Sequence, residues 1–250
     1  MSAEIEKLTE ILKVSNNIVF FGGAGVSTAS NIPDFRSSNG LFSEKLNKTF
    51  TPEQLVSHTF YMRYPQEFFN FYKSKLIYPQ AKPNNAHIAL AKLEEMGKLK
   101  AIITQNIDGL HQMAGSKNVF ELHGSVHRNY CMKCHEFYNA DFILNSKGVP
   151  ACEKCGGSVK PDVVLYEEGL DDDVIRCAIH AIANADTLII GGTSLVVYPA
   201  AGLINYFRGK NLILINKSST SADSKADLVI NEDIAKLFDK VMKRLQLNIQ

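Results

Sequence analysis

The chain has 250 residues, 45% of them hydrophobic, which suffices for one large domain or for one domain with a small insert. Its 27 basic and 26 acidic residues give a net charge of +1, so no electrostatic footprint for nucleic acid is present. No segment approaches the roughly 18 apolar residues of a membrane span, and the N-terminal segment lacks the pattern of a signal peptide. We therefore predict a cytoplasmic protein with neither nucleic-acid nor membrane partners.

The first predicted element is an amphipathic N-terminal helix, in which Ile5, Leu8 and Leu12 recur at helical spacing. Short apolar runs then alternate with helical patterns, and several runs are apolar throughout, as in a parallel sheet buried on both faces. This alternation predicts a doubly wound, Rossmann-like α/β fold. The predicted strands are 18–21, 100–104, 119–122, 163–166, 187–191, 211–215 and 227–230, and the predicted helices are 84–96, 171–184, 199–208 and 233–246.

A glycine-rich turn follows the first strand run. The stretch from Gly23 to Thr28 comes close to the dinucleotide fingerprint G-x-G-x-x-G, with Thr28 in the place of the third glycine. Such glycines let backbone N–H groups approach a pyrophosphate. A simple dinucleotide-binding turn continues into a helix and has an acidic residue about 20 positions further on. The Pro-Asp-Phe-Arg segment at 33–36 breaks that pattern and disfavours a hydride-transferring dehydrogenase.

Two segments interrupt the alternation of strands and helices. Residues 37–83 are rich in aromatic residues and show no strand signal, so we predict a helical insert. Residues 127–158 contain paired cysteines, so we predict an insert organised by a metal. Together the inserts would form a small second lobe. The remaining residues, 1–36, 84–126 and 159–250, would form the nucleotide-binding domain.

The paired cysteines are the most specific local motif in the sequence. Cys131 and Cys134 form one C-x2-C pair, Cys152 and Cys155 form another, and 17 residues separate the pairs. This spacing is typical of a tetrahedral zinc site with four thiolate ligands. Such a zinc has no open coordination position, so we predict a structural ion. Cys177 stands alone and is not expected to bind it.

Six apolar runs end in short polar groups. Ligands of open α/β sheets bind beyond the carboxyl ends of the strands, so these groups would surround one crevice. One polar turn after a strand is ordinary, but six that include two glycine-rich turns favour a binding site. Within this set His123 is a candidate general base, although a structural histidine is the alternative. Asp34 and Asp108 are the candidate carboxylates of this binding site, with turn capping as the alternative role.

Taken together, the motifs resemble one family. GAGVSTASNIPDFR, TQNIDGLH, LHGS, the two C-x2-C pairs and GTSLVVYPA occur in this order. From about residue 5 to the C-terminus the chain resembles the sirtuins, which are NAD-dependent protein-lysine deacylases. The resemblance implies that the acyl oxygen of a modified lysine attacks C1′ of the nicotinamide ribose and that nicotinamide leaves. His123 would act as general base on the ribose hydroxyls, and the products would be lysine, nicotinamide and O-acyl-ADP-ribose.

The resemblance also implies which residues contact NAD. Phe35 and Arg36 would lie over the reacting end of the cofactor, and Ile107 and Asp108 would contact the nicotinamide carboxamide. An acyl-lysine peptide or protein would be held as an added strand between VVLYEE and the LVVYP loop. The implied NAD contacts are Gly23, Ala24, Gly25, Thr28, Asp34, Phe35, Arg36, Gln105, Asn106, Ile107, Asp108, His123, Gly192, Thr193, Ser194, Asn216, Lys217 and Ile234.

Three positions depart from the family pattern. Gly22 replaces a threonine, Asn31 replaces the glycine of SGIPDFR, and Glu167 replaces the glycine of FGE. Members that prefer acidic acyl groups carry a tyrosine and an arginine three positions apart in the helical insert. Here Tyr72 and Lys75 occupy the nearest matching positions, so acetyl-lysine is the expected substrate. The alternatives are a deacylase for longer or acidic acyl groups, an NAD-consuming ADP-ribosyltransferase and a zinc-containing binding module without enzymatic activity.

Overall fold

A computed structural model describes residues 3–34, Gly40 and residues 50–245. None of the helices in this part of the chain is long and apolar enough to cross a membrane. Short 3₁₀ helices occupy Ala24–Val26, Thr28–Ser30, Ala200–Tyr206 and Asp223–Lys225. The other elements, in chain order, are α1 (Ala3–Val14), β1 (Ile18–Gly22), α2 (Pro52–Leu55), α3 (His58–Arg63), α4 (Pro65–Lys75), α5 (Asn85–Glu95), β2 (Leu99–Thr104), α6 (Leu110–Met113), β3 (Val119–Glu121), β4 (Gly124–Cys131), β5 (Phe137–Tyr138), α7 (Ala140–Asn145), β6 (Val159–Val163), α8 (Asp172–Asn184), β7 (Thr187–Gly191), β8 (Asn211–Ile215), β9 (Leu228–Ile230) and α9 (Ile234–Arg244).

The larger sheet has six parallel strands in the order β3-β2-β1-β7-β8-β9. Strands β1 and β7 lie side by side at its centre, and every residue in them is buried. The strand order reverses between these two strands, which creates a crevice at their carboxyl ends. The predicted doubly wound α/β fold is therefore confirmed.

Helices cover both faces of the larger sheet. Helices α1, α5 and α9 pack on one face through buried residues such as Leu8, Leu90 and Phe238. Helix α8 and the Ala200–Tyr206 helix pack on the other face. Aspartate caps fix where two of the helices begin, because Asp171 accepts N–H bonds at the start of α8 and Asp233 does so at α9.

The smaller sheet has three antiparallel strands in the order β5-β4-β6. It shares one hydrophobic core with helices α2 to α4, in which Phe68 and Tyr72 are buried together with Val126 and Val159. The two predicted inserts therefore pack on each other. Strands β4 and β6 extend beyond 127 and 158, where the sequence placed the insert boundaries, and the division into domains stays a prediction.

Two predicted elements differ from the structure. The strand predicted at 163–166 is wrong, because strand β6 instead covers Val159–Val163 and contains Pro161. Proline lacks an N–H, which argues against a central strand, but β6 lies at the edge of its sheet. The helix predicted at 199–208 is a 3₁₀ helix over Ala200–Tyr206. The other predicted strands and helices are confirmed, with ends shifted by up to two residues. Residue 246, the predicted end of the last helix, lies outside the described residues.

Candidate active site and metal centre

Two glycine-rich turns pack against each other where the strand order reverses. The N–H of Gly25 donates to the carbonyl of Gly192 at 2.8 Å. A Cβ atom on Gly25 would lie 2.8 Å from the Cα of Gly192, and one on Gly192 would lie 2.4 Å from the backbone nitrogen of Val26. Gly192 also has a φ of +60°, which favours glycine. These glycines are therefore required by the close approach of the turns that follow β1 and β7.

A buried serine holds two of the predicted site residues. The hydroxyl of Ser27 donates to Asp108 at 2.6 Å and accepts from the side-chain amide of Asn106 at 3.1 Å. Ser27 is 1% exposed. Asp108 also accepts the N–H of Leu110, the first residue of α6, and so holds the turn that precedes this helix. Sequence reasoning did not select Ser27, although it lies inside the glycine-rich motif.

Thr193 connects the ends of three strands. Its hydroxyl accepts from the side chain of Gln105, which follows β2, at 3.1 Å. Its carbonyl accepts from the side chain of Asn216, which follows β8, at 3.0 Å. Lys217 pairs with Asp233 at 2.8 Å, at the start of α9. The polar groups predicted at the strand ends therefore lie along one continuous edge of the sheet.

His123 lies at the end of this edge, between β3 and β4. Its Nδ1 lies 2.9 Å from the carbonyl oxygen of Gln105. A carbonyl only accepts, so Nδ1 carries the proton and Nε2 keeps a lone pair when the ring is neutral. Burial lowers the pKa of His123, and the bond to Gln105 opposes that effect only in part. The imidazole is thus held as an oriented neutral base.

The remaining predicted contacts differ in their burial. Ala24 and Thr28 are half-buried, and the Thr28 hydroxyl donates to the carbonyl of Gly25. Ile234 is buried at the start of α9. Asp34, Ile107 and Ser194 lie within the described residues at half-buried or exposed positions. Phe35 and Arg36 lie outside the described residues.

The three departures from the family pattern have local physical explanations. Asn31 and Glu167 have φ values of +63° and +77°, the left-handed region in which glycine is favoured. The Glu167 carboxylate accepts the N–H of Thr59 at 2.8 Å, and hydrogen bonds from Thr59 lower its pKa. A Cβ on Gly22 would lie 2.6 Å from the ring of Phe20, so a larger residue there requires a different position of this ring.

A pair of buried histidines lies close to the crevice. His87 on α5 and His111 on α6 are 0% and 1% exposed, and their ring centroids are 4.7 Å apart. His87 Nδ1 accepts the N–H of Asn84, whose side chain donates to Val26 and Ser30 in the glycine-rich segment. Burial lowers the pKa of His87 to about 4. Sequence reasoning assigned these histidines no role.

The four paired cysteines converge on one point. The sulfur atoms of Cys131, Cys134, Cys152 and Cys155 all lie within 4.8 Å of one another. Ligands about 2.3 Å from a tetrahedral zinc lie about 3.8 Å from each other, so the geometry fits this metal. Backbone N–H groups of Lys133 and Cys134 point at the sulfur of Cys131, as expected around a thiolate. The predicted site for one zinc ion is confirmed.

Cys177 is exposed on α8 and does not belong to this cluster, as predicted. The hydroxyl of Tyr138 donates to the sulfur of Cys152 at 3.2 Å and accepts the N–H of Glu153 at 2.9 Å. The metal site thus has hydrogen-bonding support beyond its ligands, and the sequence motif alone did not indicate it.

Comparison with known proteins gives consistent results. The model of the Sir2 family matches residues 23–199. The chain is 80% identical over 243 residues to an NAD-dependent protein deacetylase of Clostridium perfringens, a match that covers 97% of this chain and 100% of the relative. It is 46% identical to a protein of the same name from Staphylococcus aureus, across 97% of this chain and 99% of the relative.

Solved structures agree with this result. A Sir2 structure with a deacetylated p53 peptide and 3′-O-acetyl ADP ribose has a TM-score of 0.89 at 39% identity, covering 98% of this chain and 100% of the other. A Sir2 structure with a p53 peptide and NAD⁺ has a TM-score of 0.85 at 40% identity, covering 98% and 99%.

Proposed function

The chain belongs to the Sir2 family, and we propose that His123 is the general base of its NAD-dependent protein deacetylase activity. In this reaction the acetyl group passes from lysine to the ADP-ribose part of NAD, and nicotinamide and O-acetyl-ADP-ribose are released. The hydrogen bond between His123 Nδ1 and the Gln105 carbonyl carries the proposal. It leaves Nε2 as the ring atom that takes a proton from a ribose hydroxyl.

The proposal assigns parts in binding to three polar residues of the crevice. Bound NAD supplies the ribosyl carbon that accepts the acetyl oxygen and supplies nicotinamide as the leaving group. Bonds to Ser27 orient Asp108 for the nicotinamide carboxamide and Asn106 for the adjoining ribose. Gln105 is fixed between His123 and Thr193. This position suits contact with the ribose that carries nicotinamide. The other contacts implied by the family resemblance remain part of this proposal.

Acyl-lysine peptides would bind between the segment after β6 and the segment after β7. Apolar side chains on both segments are exposed, among them Tyr166 at 38%, Val196 at 56% and Tyr198 at 73%. Exposed apolar groups on these two segments suit an extended peptide that adds a strand and places alternate side chains on them. We also propose a cytoplasmic location, which is consistent with cysteines that serve as metal ligands rather than as disulfides.

The tyrosine position of the acidic-acyl motif is not suited to holding a carboxylate. Tyr72 is 0% exposed, and its ring stacks on Phe68 at 5.6 Å. Burial and the nearby Asp162 carboxylate both raise its pKa. Asp162 would also repel an acidic acyl group close to this hydroxyl. We therefore propose that acetyl-lysine is preferred over succinyl-lysine, which kcat/KM for the two acyl forms of one peptide would test.

The direct test of the proposed function uses the purified protein with NAD and an acetyl-lysine peptide. Nicotinamide release that requires the peptide, with formation of O-acetyl-ADP-ribose, supports deacetylation. If labelled ADP-ribose becomes attached to protein instead, the enzyme is an ADP-ribosyltransferase and the proposal fails. Nicotinamide release without any peptide indicates simple hydrolysis of NAD and also contradicts the proposal.

A further inference from the structure

His123 is anchored to both sheets of the molecule. Its ring bonds to the carbonyl of Gln105, which follows β2 of the larger sheet, at 2.9 Å. Its own carbonyl accepts the N–H of Val164, which follows β6 of the smaller sheet, at 3.0 Å. The direction of the imidazole therefore depends on how the two sheets are held relative to each other next to this residue.

One arginine connects the two sheets at this place. The Nη1 atom of Arg128, on β4, lies 2.6 Å from Glu121, the last residue of β3 in the larger sheet. Its Nε atom lies 2.7 Å from Asp162, on β6 in the smaller sheet. Glu121 precedes His123 by two residues, and its side chain is only 7% exposed. The planar guanidinium can hold two carboxylates in fixed directions, which a lysine cannot do.

The backbone ladder is interrupted where Arg128 lies. The register between β4 and β6 shifts between Ser125 and Asn129, so the residues between them lack a regular partner on β6. Irregularities of this kind redirect side chains and are common next to active sites. In this interval the ion pair of Arg128 with Asp162 joins β4 to β6, and its ion pair with Glu121 joins β4 to β3.

We propose that Arg128 is a positioning residue for His123, acting through its ion pairs to Glu121 and Asp162. The proposal rests on the proposed function, in which His123 is the general base. Arg128 does not touch the reacting atoms. It fixes the end of β3 against β6, and so keeps the imidazole directed at the Gln105 carbonyl on one side and at the crevice on the other.

The test compares variants that keep the fold. R128M alone leaves the buried Glu121 without a partner and is expected to be less stable, so R128M/E121Q is the principal variant. It should keep its zinc and its cooperative unfolding, with KM for NAD close to that of the wild-type protein and kcat lower by about 10- to 100-fold. R128K should retain an intermediate kcat. R176M is the matched control, because it removes an arginine from an exposed pair with Asp173 on α8.

A nitrogen-edited NMR spectrum of the His123 ring provides a measurement that does not depend on turnover. The wild-type protein should show the Nδ1–H tautomer, and folded R128M/E121Q should show a mixture of tautomers. An unchanged ring spectrum or an unchanged kcat in the folded double variant would overturn the role of Arg128. An inactive wild-type protein would instead overturn the proposed function, while the ring spectrum would still decide whether Arg128 orients His123.

Discussion

The metal centre and the crevice are assembled from the chain in opposite ways. All four metal ligands lie between Cys131 and Cys155, and two short motifs bring them together. The crevice takes its polar groups from positions as far apart as Ser27 and Asp233, and the order of parallel strands brings them together. We expect the first region to depend on a bound ion for its stability, whereas the second depends on the packing of a buried sheet. Changes in the two regions should therefore have separable consequences.

The largest effect is expected from Cys131→Ser. Zinc binding contributes on the order of 10 kcal/mol to a structural site, which is comparable to the whole stability of a domain. The variant should lose zinc, and the small lobe should unfold, whereas the parallel sheet should remain folded and bind NAD. Metal analysis and limited proteolysis with and without NAD would measure both results.

Cys177→Ser is the matched control for the metal-ligand variant, because Cys177 is exposed and lies outside the cluster. It should keep one zinc per chain. If Cys131→Ser keeps its zinc, the ligand assignment is wrong. If the variant loses all structure, the two regions are not separable and the comparison fails.

The next largest effect is expected from His123→Ala, which changes the crevice and leaves the metal centre intact. Loss of a general base typically lowers the rate by about 10²- to 10⁴-fold. The variant should keep its zinc, its thermal stability and its affinity for NAD. Steady-state kinetics would measure the loss, and His180→Ala, an exposed histidine on α8, is the control. Activity close to that of the wild-type protein would contradict the assignment.

The pH dependence of activity follows from the same residue. Burial lowers the pKa of His123 below 6.5, so the ring stays neutral and basic to a lower pH than a free histidine does. The midpoint of the acid limb of the kcat/KM profile should therefore lie below pH 6.5. A limb centred above that value would show that His123 is not the group that titrates.

The contrast between the two regions also explains what the sequence could predict. Cysteine spacing determines which sulfur atoms can meet, so all four metal ligands were predicted. The apolar runs predicted the parallel strands, because both faces of that sheet are buried. The run at 163–166 was wrongly predicted as a strand, because pairing with β4 selects Val159–Val163 instead. Such antiparallel pairing joins residues 28 to 39 positions apart and leaves no local signal.

In the crevice, sequence reasoning predicted residues that the structure places at neighbouring strand ends, but not the bonds between them. His123 and Asp108 were predicted from their places after apolar runs. Ser27, which links Asp108 to Asn106, was missed because a serine in a glycine-rich loop has no distinctive spacing. Arg128 was missed because its two partners lie on different sheets. These contacts exist only once the strand order is known.

A smaller effect, on the pH dependence of stability, should arise from His87, which is linked to the glycine-rich segment through Asn84. Burial lowers its pKa to about 4 from an ordinary value of 6.5. Between these values the unfolded chain binds a proton that the folded chain does not, so stability falls as the pH decreases. The shift corresponds to ~3 kcal/mol once the pH is below 4. Urea unfolding at pH 7 and pH 5 should show a smaller loss for His87→Phe than for the wild-type protein.

His180→Phe is the control for this measurement, because His180 is exposed on α8. The pH dependence of its stability should match that of the wild-type protein. If His87→Phe also behaves like the wild-type protein, then His87 is not buried in its neutral form and the described packing against His111 is incorrect.

The smallest effect concerns backbone conformation at the crevice. Asn31 has a φ of +63°, and its N–H donates to the carbonyl of Thr28 at 3.2 Å. A Cβ atom in this conformation costs about 1–2 kcal/mol, which asparagine tolerates better than alanine does and which glycine avoids. Asn31→Ala should therefore lower the free energy of unfolding by about 1 kcal/mol, and Asn31→Gly should leave it nearly unchanged. Ala29→Gly, in the preceding 3₁₀ helix, should instead destabilise the protein by about 0.5–1 kcal/mol, since glycine gains nothing where φ is negative. Equal effects of the two Asn31 substitutions would show that the side chain, not the backbone, determines this turn.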